Sequence, residues 1–168
     1  MERPANQFET QEEKVSPIAL ERATEGDLDF VYRLHKVTTR DRVEAIRGWD
    51  SEDEHADMAH HFTPGFDNII TVNGERAGIF RTVPLEDNSI LIDRFEILPE
   101  FQGVGVGRTI LSEFLKEHAD ELIRAEIPKK SSVQERSAVE LFRRLGFEVY
   151  SESDQLYQLI KSPKRYIP

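Results

Sequence analysis

The residues between 90 and 108 hold the groups whose types and spacing can do chemistry. Three glycines spaced two apart, Gly103-Val104-Gly105-Val106-Gly107, stand between Gln102 and Arg108. An apolar strand pattern from Ile90 to Leu98 leads into them through Pro99. A helical stripe of Val106, Ile110, Leu111, Phe114, Leu115 and Ala119 leads out. Strand, glycine loop and helix in this order aim unpaired backbone N–H groups and the positive end of a helix dipole at one point. Such a point suits a phosphate. The plainer reading is a tight strand-to-helix turn whose glycines supply positive φ.

The strand also carries two carboxylates, Asp93 and Glu96, that could accept a proton. Strict alternation puts Leu91, Asp93, Phe95 and Ile97 on one face and Ile92, Arg94, Glu96 and Leu98 on the other. Asp93 is then the lone carboxylate among apolar neighbours, where desolvation would raise its pKa. Its other reading is an ion pair with Arg81 or Arg124 on neighbouring strands. Glu96 is the second candidate base, because Arg94 stands two residues away on its own face.

Spacing narrows the phosphate ligand. A Walker loop needs G-x-x-x-x-G-K-[ST], and this loop has no lysine. A dinucleotide fingerprint needs G-x-G-x-x-G; its third glycine would fall on Arg108 or on Ile110. Gln102-x-x-Gly105-x-Gly107 instead resembles the acyl-CoA pyrophosphate loop of the GNAT superfamily of N-acetyltransferases. Ile97-Leu98-Pro99-Glu100-Phe101 resembles that family's strand end and turn, and Ala138-Val-Glu-Leu-Phe142-Arg-Arg-Leu-Gly146-Phe147 is similar to its A-x-x-[LF]-Y-x-x-x-G-F helix.

The resemblance implies acetyl-CoA as cosubstrate, no metal, and direct acetyl transfer to a primary amine in a ternary complex. The acceptor would be a small amine, a peptide N-terminus or a lysine. The pantetheine arm would lie between two splayed central strands, against the backbone of Ile97 and Leu98. Gln102 and the amides of Gly103, Val104, Gly105, Val106, Gly107 and Arg108 would take the pyrophosphate. The Arg108 guanidinium either adds charge there or is simply solvated. Asp93 stands nine residues before Gln102, where some members place a catalytic side chain; eleven before, another such position holds Leu91. Family analogy also points to a homodimer.

Two departures stand against this. Phe142 occupies the place of the tyrosine that reprotonates the CoA thiolate, leaving Tyr150, Tyr157 or water to do so, or the thiolate to depart unaided. Glu135 replaces the usual asparagine; Ser132-x-x-Glu135 and Ser137-x-x-Glu140 both make capping boxes. They motivate a second reading, a non-catalytic CoA-binding sensor of the same fold.

The elements that position these residues follow from periodicity. Ile18 to Ala23 reads as a strand. A helix start at Thr24 precedes Leu28, Val31, Tyr32 and His35 at helical spacing, and Ser51-x-x-Glu54 opens a short helix through His61. Asn68 to Val72 and Arg76 to Val83 flank Asn73-Gly74, a two-residue hairpin turn. After the central helix come a strand from Leu122 to Ile127, a helix from Val133 to Leu145 stopped by Gly146, and a hairpin of Phe147 to Tyr150 with Leu156 to Ile160. The order β-α-α-β-β-β-α-β-α-β-β predicts an α/β fold, a single mixed and mostly antiparallel sheet flanked by helices. This is the GNAT order.

Length and composition set the bounds. The 168 residues predict one domain over 16–161 between flexible tails at 1–15 and 162–168. No cysteine is present, which excludes an acyl-cysteine intermediate and a Cys-ligated metal. A net charge of −10 disfavours nucleic acid and would attract cationic ligands such as amines, or serve solubility alone. No apolar run is long enough for a membrane span and no signal-peptide core is visible, so a cytoplasmic location is expected. His55, His60 and His61 lack H-E-x-x-H spacing and read as a polar helix face or a substrate rim. Trp49 and Phe62 flank that helix, in the region that covers the acceptor cleft in GNAT folds.

Overall fold

The computed structural model describes residues 17–129 and 133–164, with the side chains of 133–135 excepted. The expected 1–15 tail, the 165–168 end and the Ser132 capping box lie outside the described residues. Seven strands form one sheet: β1 (Ile18–Arg22), β2 (Asn68–Val72), β3 (Glu75–Pro84), β4 (Ile90–Ile97), β5 (Ile123–Pro128), β6 (Glu148–Glu152) and β7 (Leu156–Lys161). Their order is β1-β2-β3-β4-β5-β7-β6, antiparallel at every step except β4–β5. The helices are α1 (Leu28–Arg47), α2 (Ser51–His61), α3 (Val106–Glu117) and α4 (Val133–Arg144). No helix among the described residues is long and apolar enough to cross a membrane.

Three of the helices, α1, α3 and α4, each bury an apolar stripe, whereas α2 buries little besides Met58 and Glu54. On α3, Val106, Ile110, Leu111, Phe114 and Leu115 are buried. With Phe142 of α4 they pack against Ile70, Phe80, Ile92, Ile123 and Leu159 on one sheet face. Val31 and Leu34 of α1 and Met58 of α2 cover Ile69 and Ile79 on the opposite face. The Asn73-Gly74 turn has φ of 51° and 81°, the doubly positive geometry that matches strand twist in a two-residue hairpin. Part of the expected C-terminal tail is docked: the Lys164 N–H donates to the Ala119 carbonyl at 2.9 Å.

Two features position the site. Between β3 and β4 the register runs Arg81↔Arg94 and then Thr82↔Ile92, so Asp93 is an extra, bulged residue. The bulge reverses the alternation expected for β4. Ile92 joins Phe95 and Ile97 on the α3 face, while Arg94, Glu96 and Leu98 meet α1 and α2. Strict alternation grouped Asp93 with Phe95 and failed because one inserted residue changes the phase of the strand. The second feature is a gap. β4 and β5 pair only at Ile90↔Ile123, Leu91↔Arg124 and Ile92↔Ala125. Beyond that β4 continues on β3 to Ile97 and β5 continues on β7 to Pro128, so the two central strands part.

Candidate active site

The glycine loop sits at the end of β4, where the strands have parted. Gly103 and Gly105 have φ of 74° and 93°, and Gly105 caps α3 from the left-handed region. Nothing lies within 4 Å of a Cβ built on either glycine, so their need is conformational. Gly107 differs. A Cβ there would come within 3.3 Å of Leu141, 3.4 Å of Ile97 and 3.5 Å of Phe95, so its missing side chain seats α3 against β4 and α4.

The α3 ladder begins with the Thr109 N–H donating to the Gly105 carbonyl at 3.0 Å. Among the described residues no protein group accepts from the N–H groups of residues 103 to 108, and no side chain caps the helix. Six consecutive donors with no protein acceptor among the described residues, at a helix N-terminus, make a candidate anion cradle. Beside it runs a groove of about 470 Å³ lined by Arg108, Ser137, Glu140, Leu141, Arg144 and Leu145. Arg108 is exposed and makes no ion pair among the described residues, whereas Arg144 is held by Glu140 at 2.9 Å.

The strand end behaves differently from the expectation for Leu98. Its N–H donates to the Ala77 carbonyl of β3 at 2.8 Å and its carbonyl accepts from Phe101 at 2.9 Å. The N–H is therefore used inside the protein and is not offered to a ligand. Alternation then turns the main-chain groups of Ile97 and Phe95 away from β3, toward the gap. The Ile97 carbonyl there takes the Gln102 side-chain amide at 2.7 Å. Gln102 thus braces the strand end with its side-chain N–H₂ and does not point that group at the cradle.

Neither candidate carboxylate lies in an apolar setting. Asp93 is a third exposed, and its Oδ2 receives the Arg81 guanidinium at 2.6 Å. The expected desolvation fails because the bulge turns Asp93 outward onto a cation. Its Oδ1 has no partner among the described residues. Arg81 also reaches the His61 carbonyl at 3.1 Å and buried Asp67 at 3.5 Å. Arg124, the other expected partner, pairs with Asp87 at 2.8 Å instead.

Glu96 has both oxygens occupied. Arg94 Nε donates to Oε1 at 2.9 Å and the Thr38 hydroxyl of α1 to Oε2. Burial pushes this carboxyl up, but the Arg94 charge, the Thr38 and Arg94 hydrogen bonds and nearby His35 outweigh it. The net effect holds Glu96 below the usual glutamate value. The same junction contains Glu54 of α2, only 3% exposed, gripped by Arg47 and by His35 at 3.4 Å. Sequence reasoning missed these residues: His35 reads as part of an apolar stripe and Glu54 as half of a capping box. The cap is in fact Asp50, which accepts from the Glu52 and Asp53 N–H groups at 2.9 and 3.1 Å.

Comparison with known proteins settles the family. The model of the acetyltransferase (GNAT) domain matches residues 65–149, from β2 into β6. The chain belongs to the GNAT acetyltransferase family. No curated protein matches it in sequence. Solved structures share the fold. An acetyltransferase from Thermus thermophilus aligns at TM-score 0.66 and 16% identity over 86% of this chain and 96% of its own. Arabidopsis thaliana Naa50, in complex with the bisubstrate analogue CoA-Ac-MVNAL, aligns at 0.59 and 17% over 87% and 99%. The PaiA N-acetyltransferase of Thermoplasma acidophilum, in complex with coenzyme A, aligns at 0.64 and 12% over 86% and 98%.

Within this GNAT chain the departures have clear places. Phe142 is 4% exposed and stacks edge-on with Phe95 and Phe147, at centroid distances of 6.4 and 4.9 Å. Tyr150 is exposed and lies near Arg124, whose strand position is at the closed end of β4–β5. Tyr157 pairs with Ile127 at the parted end, with Lys129 Nζ 4.6 Å above its ring. His55 packs on Tyr32 at 4.8 Å, and His61 lies 3.4 Å from Asp57 on the surface.

Proposed function

We propose that this protein is an acetyl-CoA-dependent N-acetyltransferase that moves an acetyl group to a primary amine by direct transfer. The observation that carries the reading is the row of six amides at 103–108 with no acceptor among the described residues, at the end of β4 where it has parted from β5. Amides of this kind fit a diphosphate, and the groove between α3 and α4 leaves room for the nucleoside beside it. When bound, acetyl-CoA supplies an activated acyl group as its thioester. The N–H groups of Phe95 and Ile97 face the gap and would orient that group's carbonyl by hydrogen bonding. No cysteine is available to carry the acetyl, which favours one-step transfer.

The amine must lose a proton, because its pKa near 10 keeps it charged at neutral pH. Asp93 is assigned that role, directly or through one water. One of its oxygens is free and the other is fixed by Arg81. Asp93 and Asp67 together place two carboxylates against the one Arg81 guanidinium, a surplus that an ammonium would balance. Glu96 is assigned to hold α1 on β4, since Arg94 and Thr38 occupy both its oxygens. Tyr157, whose strand position is at the parted end, is assigned to protonate the departing thiolate. The acceptor is a small amine or a peptide amine, as the neighbours bound to a CoA–peptide conjugate and described for spermidine suggest. A cytoplasmic setting, where acetyl-CoA is available, goes with this reading.

The second reading, a CoA-binding sensor without turnover, is favoured by one observation. The family's tyrosine position is a phenylalanine sealed among other rings. Thiol release from acetyl-CoA across a panel of monoamines, polyamines, amino acids and peptides decides between them. Amine-dependent release is expected; CoA binding without release for any acceptor would establish the sensor.

A further inference from the structure

The strand that forms one wall of the gap is held in place by β3 alone once it leaves β5. At the critical point of β3 stands Gly78, paired with Ile97 of β4 on one side and Ile70 of β2 on the other. A Cβ built on Gly78 falls 2.3 Å from the Glu96 carbonyl oxygen, 3.1 Å from Ile97 Cα and 3.2 Å from Ile70 Cδ1. Gly78 does not have positive φ, so it is required for space and not for conformation. The nearest obstacle is main chain, which cannot rotate aside as a side chain would. Bulges at Ala77 in β3 and at Asp93 in β4 bend the two strands on either side of this contact.

We propose that Gly78 is a positioning residue for the thioester arm: it lets β4 close down on β3 and so sets where the gap's wall lies. The inference rests on the CoA reading above and concerns the arm, not the diphosphate. A methyl at 78 forces the Glu96 oxygen from 2.3 Å to at least 3.0 Å, and the moving peptide carries the Ile97 N–H with it. The loop touches the moving strand through the Gln102 side chain on the Ile97 carbonyl and through Gly107 against the Ile97 side chain. Behind the loop, α3 is anchored in the core by Val106, Ile110 and Leu111, so the diphosphate should shift less than the arm. Displacements of about 1 Å at a reacting group can cost on the order of a hundredfold in rate.

The test compares CoA with ADP, which has the diphosphate but no arm, by titration calorimetry on wild type, Gly78→Ala and Gly78→Ala/Ile70→Val. In Gly78→Ala, CoA affinity is expected to fall about tenfold or more while ADP affinity stays within about twofold. The double variant removes Ile70 Cδ1, relieving the side-chain contact but not the main-chain one, so the CoA loss should persist. Should neither variant fold, the comparison of CoA with ADP on the wild type carries the test. Equal loss for both ligands, no loss for CoA, or recovery of CoA affinity in the double variant would each overturn the proposal. Wild type that binds ADP but gains nothing from the arm would overturn it too. Wild type that binds neither ligand would refute the CoA reading itself, which is a distinct result.

Discussion

Asp93 and Glu96 lie three residues apart on one strand and do different work because of what surrounds them. Asp93→Asn should lower kcat by about 10² to 10⁴ and leave CoA affinity unchanged, as expected for loss of a general base. An unaltered pH–rate profile in that variant would remove Asp93 from the chemistry. Glu96 belongs to stability. Its folded pKa is depressed, so the unfolded chain takes up the proton first and folding is favoured above the unfolded value near about 4.3. Asp27 acts in the same sense. Burial raises its carboxyl, but two bonds from Thr24 and the Arg76 contact lower it further. Stability should therefore fall as pH drops below about 4, through those depressed values. Glu96→Gln should flatten that fall in urea titrations across pH; an unchanged slope would contradict the ion-paired assignment. At this scale the sequence put Asp93 and Glu96 on one strand but did not show their settings. Arg94 two residues from Glu96 was legible, but the Thr38 hydroxyl reaches it from 58 positions away.

Elements were legible where a local signal exists. Asn73-Gly74 marks its own turn, and the α3 stripe marks its own buried face. The gap and the bulge have no local signal. They arise because β4 has different partners along its length, and only three residue pairs join it to β5. Asp93 consequently moved from an apolar face to a cation, and Leu98 gave its main chain to Ala77. The α3 N-terminus itself yields a sharp prediction. Gly105→Glu places a side chain and a negative charge at a left-handed position in the cradle. It should abolish CoA binding while lowering stability by only about 1 kcal/mol, the usual cost of a non-glycine there. Circular dichroism would verify the fold, and retained CoA affinity would contradict the placement of the cradle.

At the scale of the whole molecule, the family match spans 65–149 and leaves α1 and α2 outside it. Those helices bring Thr38, His35 and Glu54 against β4, where Thr38 hydrogen-bonds Glu96 while His35 and Arg47 hold the buried Glu54. The chain carries a net charge of −10, and the proposed acceptors are amines. Raising ionic strength from about 0.01 to 0.15 M shortens screening from about 30 to 8 Å. KM for a diamine should rise across that range, with kcat steady, whereas KM for a neutral-bodied monoamine should change less. Equal salt effects on the two acceptors would mean that the charge serves solubility alone.

The central claim is that the amides of residues 103–108 receive the CoA diphosphate while the parted strands receive its arm. Thermal unfolding with and without CoA tests it most directly. At a hundredfold excess over Kd, stabilisation of about 2.7 kcal/mol is expected, several degrees in Tm, with none for Gly105→Glu. An unchanged Tm for the wild-type protein at millimolar CoA would contradict the account.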